Sequence, residues 1–183
     1  YNVSFHDFSL ERTKDTIELA GAEFLKTTKD EVVVVTDPHF NALLVHEIVG
    51  HPTEADRALK METAYAGRSW LFQSREKNQI EYRIASSLVN AFSDPTKMGF
   101  GHYTYDAEGT PVRPVTVIKN GILKSFLNGR ETAAILEQEP NGSMRATTSS
   151  MVPLVRMTNT IFGKKKKNPG NIIREVKNGY YIV

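Results

Sequence analysis

An unbroken branched run, Val32-Val33-Val34-Val35, followed at once by Asp37-Pro38 and an apolar stretch, constrains this chain more than any other feature. Successive valines favour extended backbone, and without polar interruption they read as a strand buried on both faces. Asp37 supplies an oxygen for the free amide N–H groups of a helix start, and Pro38 suits the first helical position, where its missing N–H costs nothing. The segment therefore predicts a buried strand that turns directly into a helix from Pro38 to at least Val49.

Other elements follow from periodicity and turn chemistry. Leu10, Ile17, Ala20, Phe24 and Leu25 recur at near-helical spacing between Ser9 and Lys26, predicting an amphipathic helix whose apolar stripe faces the core. From Gln79, Ile80, Tyr82 and Ile84 alternate with polar residues, and His102 to Tyr105 predicts a further strand before the turn Asp106-Ala107-Glu108-Gly109. Asn120-Gly121, set between Val115 to Lys119 and Ile122-Leu123, predicts a tight hairpin because both residues tolerate the positive φ of a type I′ turn. A short helix near Arg130 to Glu137, a strand from Met151 to Ile161 and a helix near Asn171 to Lys177 complete the reading. The lysine run Lys164 to Lys167 has no interleaved aromatics on which bases could stack, and reads as a solvated loop. The fold expected is α+β, a helix packed on a mixed, mostly antiparallel β-sheet.

Composition narrows the function classes. With 23 Lys and Arg against 21 Asp and Glu, the charge balance points to no nucleic acid or anionic membrane as partner. No cysteine is present, so disulfides, thiolate ligands and cysteine nucleophiles are excluded from this sequence, and a metal here would rest on nitrogen and oxygen. The apolar runs fall far short of the roughly 20 residues of a membrane span, and a soluble, cytoplasmic protein is expected. A start at Tyr1 and an end inside the strand-like Tyr180 to Val183 suggest an internal piece of a longer protein. In that reading residues 1–30 are the end of an N-terminal α/β domain or a linker helix, and residues 31–183 the first part of a truncated C-terminal domain.

The chemistry concentrates in His46-Glu47-Ile48-Val49-Gly50-His51. Two imidazoles and a carboxylate are the donor set of a hydrolytic divalent-metal site. Histidines five apart, however, diverge by about 140° around a regular helix, against about 40° for those four apart. Gly50 permits unusual dihedrals and Pro52 cannot donate a helical hydrogen bond, so a π-type bulge or kink is expected between Val49 and Thr53. Such a distortion returns His51 to the side of His46. Glu47 would then be the general base on a water that the metal activates. Glu54 and Asp56 follow closely, each as a third ligand or as a partner orienting an imidazole through its second nitrogen. His6, His39 and His102 read as surface or satisfied core residues.

Several separated motifs resemble one family, the TldD and PmbA proteins, described as peptidases and historically as modulators of DNA gyrase. They are His46-Glu47-x-x-Gly50-His51 with Glu54 and Asp56, Asp106-Ala107-Glu108-Gly109-Thr110-Pro111, Asn120-Gly121-Ile122-Leu123, and Arg156-Met157-Thr158-Asn159-Thr160. Their order also agrees, and the likeness extends from about Glu11 to the end. The resemblance implies that His46 and His51 bind a divalent metal, with zinc expected, and that Glu47 activates water to hydrolyse short or unfolded peptides. It further implies a TldD-type, catalytic subunit, as PmbA-type partners generally lack the histidine motif, and a homodimer or TldD/PmbA-type heterodimer. The family takes its third ligand, a cysteine, from a later segment that this sequence does not contain. Pro52 stands where relatives more often have glycine. Two other readings compete with the metallopeptidase: a regulatory module acting on a DNA-associated partner, drawn from the lysine run and the family's older description, and a metal-free, inactive fragment.

Overall fold

Asp37 fixes the start of the element that carries the histidines. In the computed structural model, which describes residues 4–26, 30–61, 67–72, 74, 77–163 and 169–183, its side chain accepts a hydrogen bond from Phe40 N at 2.6 Å. Helix α2, Pro38–Val45, begins there as expected. Strand β1, Val34–Thr36, precedes it but is shorter than the valine run and is not buried. Val32, Val33 and Val34 are all exposed, because β-branching favours extended backbone while burial depends on what covers the faces. The described partner of β1 is β8, Tyr180–Ile182, which lies parallel to it.

The chain divides into two compact units, Tyr1–Val33 and Val34–Val183. The first contains helix α1, Phe5–Ala20, close to the expected position, and none of its residues is buried. Nothing within this unit covers its apolar stripe: spacing defines the stripe, whereas covering it takes a packing partner.

The second unit is α+β. Its central sheet is antiparallel and runs β4-β3-β2-β7, with β2 at Ala91–Ser93, β3 at Val115–Lys119, β4 at Ile122–Leu123 and β7 at Thr160–Phe162. The β3–β4 hairpin turns through Asn120 and Gly121 at φ 50° and 77°, the pair of positive values that a type I′ turn requires. Val45 and Val49 pack into one core with Val117, Ile118, Leu123 and Phe126, so the helix beyond Asp37 lies against the sheet as expected. Helix α3, Ala55–Ala58, and helix α4, Arg130–Leu136, add Ala55, Ala58 and Ala133 to the buried set. A small ribbon pairs β5, Met144–Arg145, with β6, Leu154–Val155. Helix α5, Pro169–Glu175, begins two residues before the expected start.

Three expected strands take other forms. Ile80 and Ile84 pack on the core, but Glu81 adopts φ 67°, which no regular strand allows, and Arg83 retains a single bridge to Ile122. His102 to Tyr105 likewise reduces to one bridge, Tyr105 with Pro111, ahead of the expected turn. The strand predicted from Met151 to Ile161 is split into β6 and β7 because its middle gives its amides to side chains. Val155 N donates to Asp56, Met157 N to Glu54 and Thr158 N to Ser93. The lysine run Lys164 to Lys167 lies outside the described residues. Among the described residues, no helix is long and apolar enough to cross a membrane.

Candidate metal centre

Helix α2 does not continue as an α-helix. From His46 to Gly50 it widens into a π-turn, in which His51 N donates to the carbonyl of His46, five residues back, and a 3₁₀ turn follows at His51–Thr53. In this wide turn, positions five apart take the place of positions four apart, and both imidazoles reach one side. Their ring centroids are 4.6 Å apart and their planes meet edge-on at 88°. The distortion expected from Pro52 is present but starts earlier than anticipated, at His46.

Two local features sustain the wide turn. Pro52 has no N–H for the preceding carbonyls, and the buried Thr53 hydroxyl serves two of them instead, reaching Val49 O at 2.8 Å and Gly50 O at 2.9 Å. Gly50 has ordinary helical dihedrals, φ −58° and ψ −64°, so conformational freedom is not its role. A Cβ there would meet Sδ and Cε of Met157, so the end of that flexible side chain would have to shift to admit it. Beyond the turn, backbone bonds from Leu127 N to Thr53 O at 2.8 Å and from Ala55 N to Leu127 O at 2.9 Å pin the chain to the core. Leu127 is itself steadied by its neighbour Asn128, whose backbone and side chain exchange hydrogen bonds with buried Asn141 at 3.0 and 2.9 Å.

His46, Glu47 and His51 can each offer one ligand atom, and these atoms all lie within 4.8 Å of one another. Ligand atoms held about 2.0 to 2.2 Å from one zinc are up to roughly 4 Å apart, so side-chain adjustments of roughly an ångström would let the set close on an ion. The donor set therefore fits a divalent metal. His46 and Glu47 are exposed and His51 is partly buried.

Glu54 and Asp56 are not in that group. Glu54 is 0% exposed. Its Oε2 lies 3.1 Å from His51 Nδ1, accepts from Arg57 Nε at 2.5 Å and has Arg156 Nη1 at 3.8 Å, while Oε1 accepts from Met157 N at 3.1 Å. Asp56 does not reach the imidazoles. It accepts from Arg57 N at 2.8 Å and Val155 N at 3.0 Å and lies 3.6 Å from Arg156 Nη1. Burial pushes its carboxyl above the usual range and the charge of Glu54 adds to this, against the amides and Arg156. Arg57, Arg156 and Met157 were not anticipated in this role. Arg156 and Met157 sit in a recognised motif, but nothing local ties that motif to Glu54. His102 satisfies Nδ1 with Pro95 O at 2.9 Å, in keeping with its structural reading.

Comparisons with known proteins bear on this geometry. A family model described as the PmbA/TldA metallopeptidase C-terminal domain matches residues 29–183. A metalloprotease of Methanothermobacter thermautotrophicus is 36% identical over 149 residues, covering 81% of this chain and 30% of the relative. A zinc metalloprotease TldD homolog of Saccharolobus solfataricus is 33% identical over 156 residues, covering 84% of this chain and 32% of the relative. The crystal structure of TldE from Thermococcus kodakarensis shares the fold, with a TM-score of 0.66 at 23% identity, over 86% of this chain and 33% of that one. The chain thus spans about a third of the length of the relatives it matches.

Proposed function

This chain belongs to the PmbA/TldD family of metallopeptidases, and we propose that it carries the metal-binding turn of a peptidase active site, with His46 and His51 as ligands and Glu47 as general base. The observation that carries this reading is the convergence of the three side chains within 4.8 Å on a π-turn, since a regular helix would separate the imidazoles. A divalent metal, which His46 and His51 would hold, would supply Lewis acidity to a carbonyl and to water. The Glu47 carboxylate, exposed beside the first histidine, would serve as the general base that takes a proton from water and returns it to the leaving amine. Two imidazoles suit zinc, and the name of the Saccharolobus relative favours the same metal.

A hydrolytic site of this type takes three protein ligands and leaves one position for water. Glu54 and Asp56 are committed to arginines and backbone amides, which supports a third ligand from elsewhere in the protein, the cysteine that the family resemblance implies. Substrates in this reading are short or unfolded peptides, and the working assembly is a homodimer or a heterodimer with a PmbA-type partner. Residues 31–183 would form the first part of the metallopeptidase domain, with residues 1–30 as the end of an N-terminal α/β domain or a linker helix. No feature of the described residues favours the gyrase-directed or the metal-free reading. Glu47→Ala in the native protein tests the proposal: metal content should hold while hydrolysis of an unfolded peptide is lost. Unchanged turnover would remove Glu47 from the mechanism.

A further inference from the structure

We propose that Glu54 and Arg156 are positioning residues that hold the His51 imidazole with its proton on Nδ1, so that Nε2 is the atom presented to the metal; this rests on the reading above that His51 is a ligand. Oε2 of Glu54 already receives Arg57 Nε–H at 2.5 Å and faces Arg156 Nη1 at 3.8 Å. An ionised carboxylate only accepts, so with Arg57 on the same oxygen His51 Nδ1, 3.1 Å away, is placed as a second donor to it. Oε1 is engaged by Met157 N at 3.1 Å, which keeps the carboxylate from rotating toward the ion. Arg156 is held in turn by Val155 O at 2.7 Å and bridges Glu54 and Asp56, two buried carboxylates that would otherwise repel each other. A carboxylate behind a ligating histidine is the arrangement that fixes ring orientation and raises ligand basicity. Here it is assembled from residues about a hundred positions apart, which gives the Arg156-Met157 motif a task at the metal site.

A carboxylate that merely stapled the fold would leave the imidazole tautomer unspecified, and this separates the two roles. Long-range ¹H–¹⁵N spectra of the histidine rings in the metal-free native protein, taken at about pH 9, should show His51 as the Nδ1–H tautomer, assigned by its loss in His51→Gln. An Nε2–H tautomer in the wild type would overturn the proposal, whatever happens to the variants. Glu54→Gln should mix the tautomers and weaken Zn²⁺ binding, measured by chelator competition, about 10- to 100-fold. Arg156→Lys should retain more of the affinity than Arg156→Met. Should Glu54→Gln fail to fold, the wild-type spectrum and Arg156→Lys still decide. An unaltered tautomer and affinity in Glu54→Gln would also overturn the proposal. A wild type that shows the Nδ1–H tautomer, loses it in Glu54→Gln, yet binds no Zn²⁺ would support the orientation while overturning the metallopeptidase reading.

Discussion

Replacing Thr53 by valine should loosen the turn that brings the two histidines together. The side chain is buried, and its single hydroxyl proton is shared between the carbonyls of Val49 and Gly50 at 2.8 and 2.9 Å, both of them on buried residues. Valine keeps the shape and removes the donor, leaving two carbonyl oxygens without that bond. An unsatisfied buried group costs about 1–3 kcal/mol. The added methyl returns up to about 0.8 kcal/mol of apolar burial, so the middle of that range leaves a net loss of about 1 kcal/mol. Urea denaturation followed by near-ultraviolet circular dichroism measures it, with Thr53→Ser as the control that keeps the hydroxyl. Zinc affinity of Thr53→Val should fall as well, because the same bonds hold His51 beside His46. A Thr53→Val protein within about 0.5 kcal/mol of wild type, the usual range for surface changes, would show that the widened turn does not depend on this hydroxyl.

Tyr103, whose hydroxyl donates to Gly142 O at 2.8 Å, is pushed up to about 12 by burial; Arg145 opposes the shift and Asp106 adds to it. Between about pH 10 and 12 the unfolded chain releases this proton first, so stability is full below pH 10 and falls across that window. At 1.36 kcal/mol per unit the full shift would be worth about 3 kcal/mol, and solvent screening of this half-buried group reduces the loss to about 1 to 2 kcal/mol. Tyr103→Phe should be about 1 kcal/mol less stable than wild type near neutrality for want of its hydrogen bond, and the difference should vanish or reverse by about pH 12, as read by denaturant titration at each pH. Asp37→Ala removes the cap at Phe40 N and should lower stability by about 1 kcal/mol, while Asp37→Asn should retain most of it.

What the sequence made legible was local. The Asp37-Pro38 start, the Asn120-Gly121 turn and the strain of proline against a five-residue histidine spacing are each set by neighbouring backbone, and each appears in the fold. Burial was not legible in the same way. The valine run and the α1 stripe have the right residue types, but whether a face is covered depends on elements that residue type does not locate. The reason for Gly50 was misread for a related cause, since its neighbour Met157 comes from a distant strand connection. Glu54 and Asp56 were visible as candidates by proximity to the histidines. Their division into a carboxylate that touches His51 and one that braces β6 was decided by Arg57, Arg156 and two amides far along the chain.

The central claim is that His46 and His51 jointly hold a divalent metal. Zinc stoichiometry by mass spectrometry, measured on the native protein after equilibration with Zn²⁺ and desalting, tests it most directly in wild type, His46→Ala, His51→Ala and Glu47→Gln. One zinc per chain is expected in wild type and Glu47→Gln, and loss of that zinc in either histidine variant. Retention of full zinc by either histidine variant, folded as judged by circular dichroism, would contradict it.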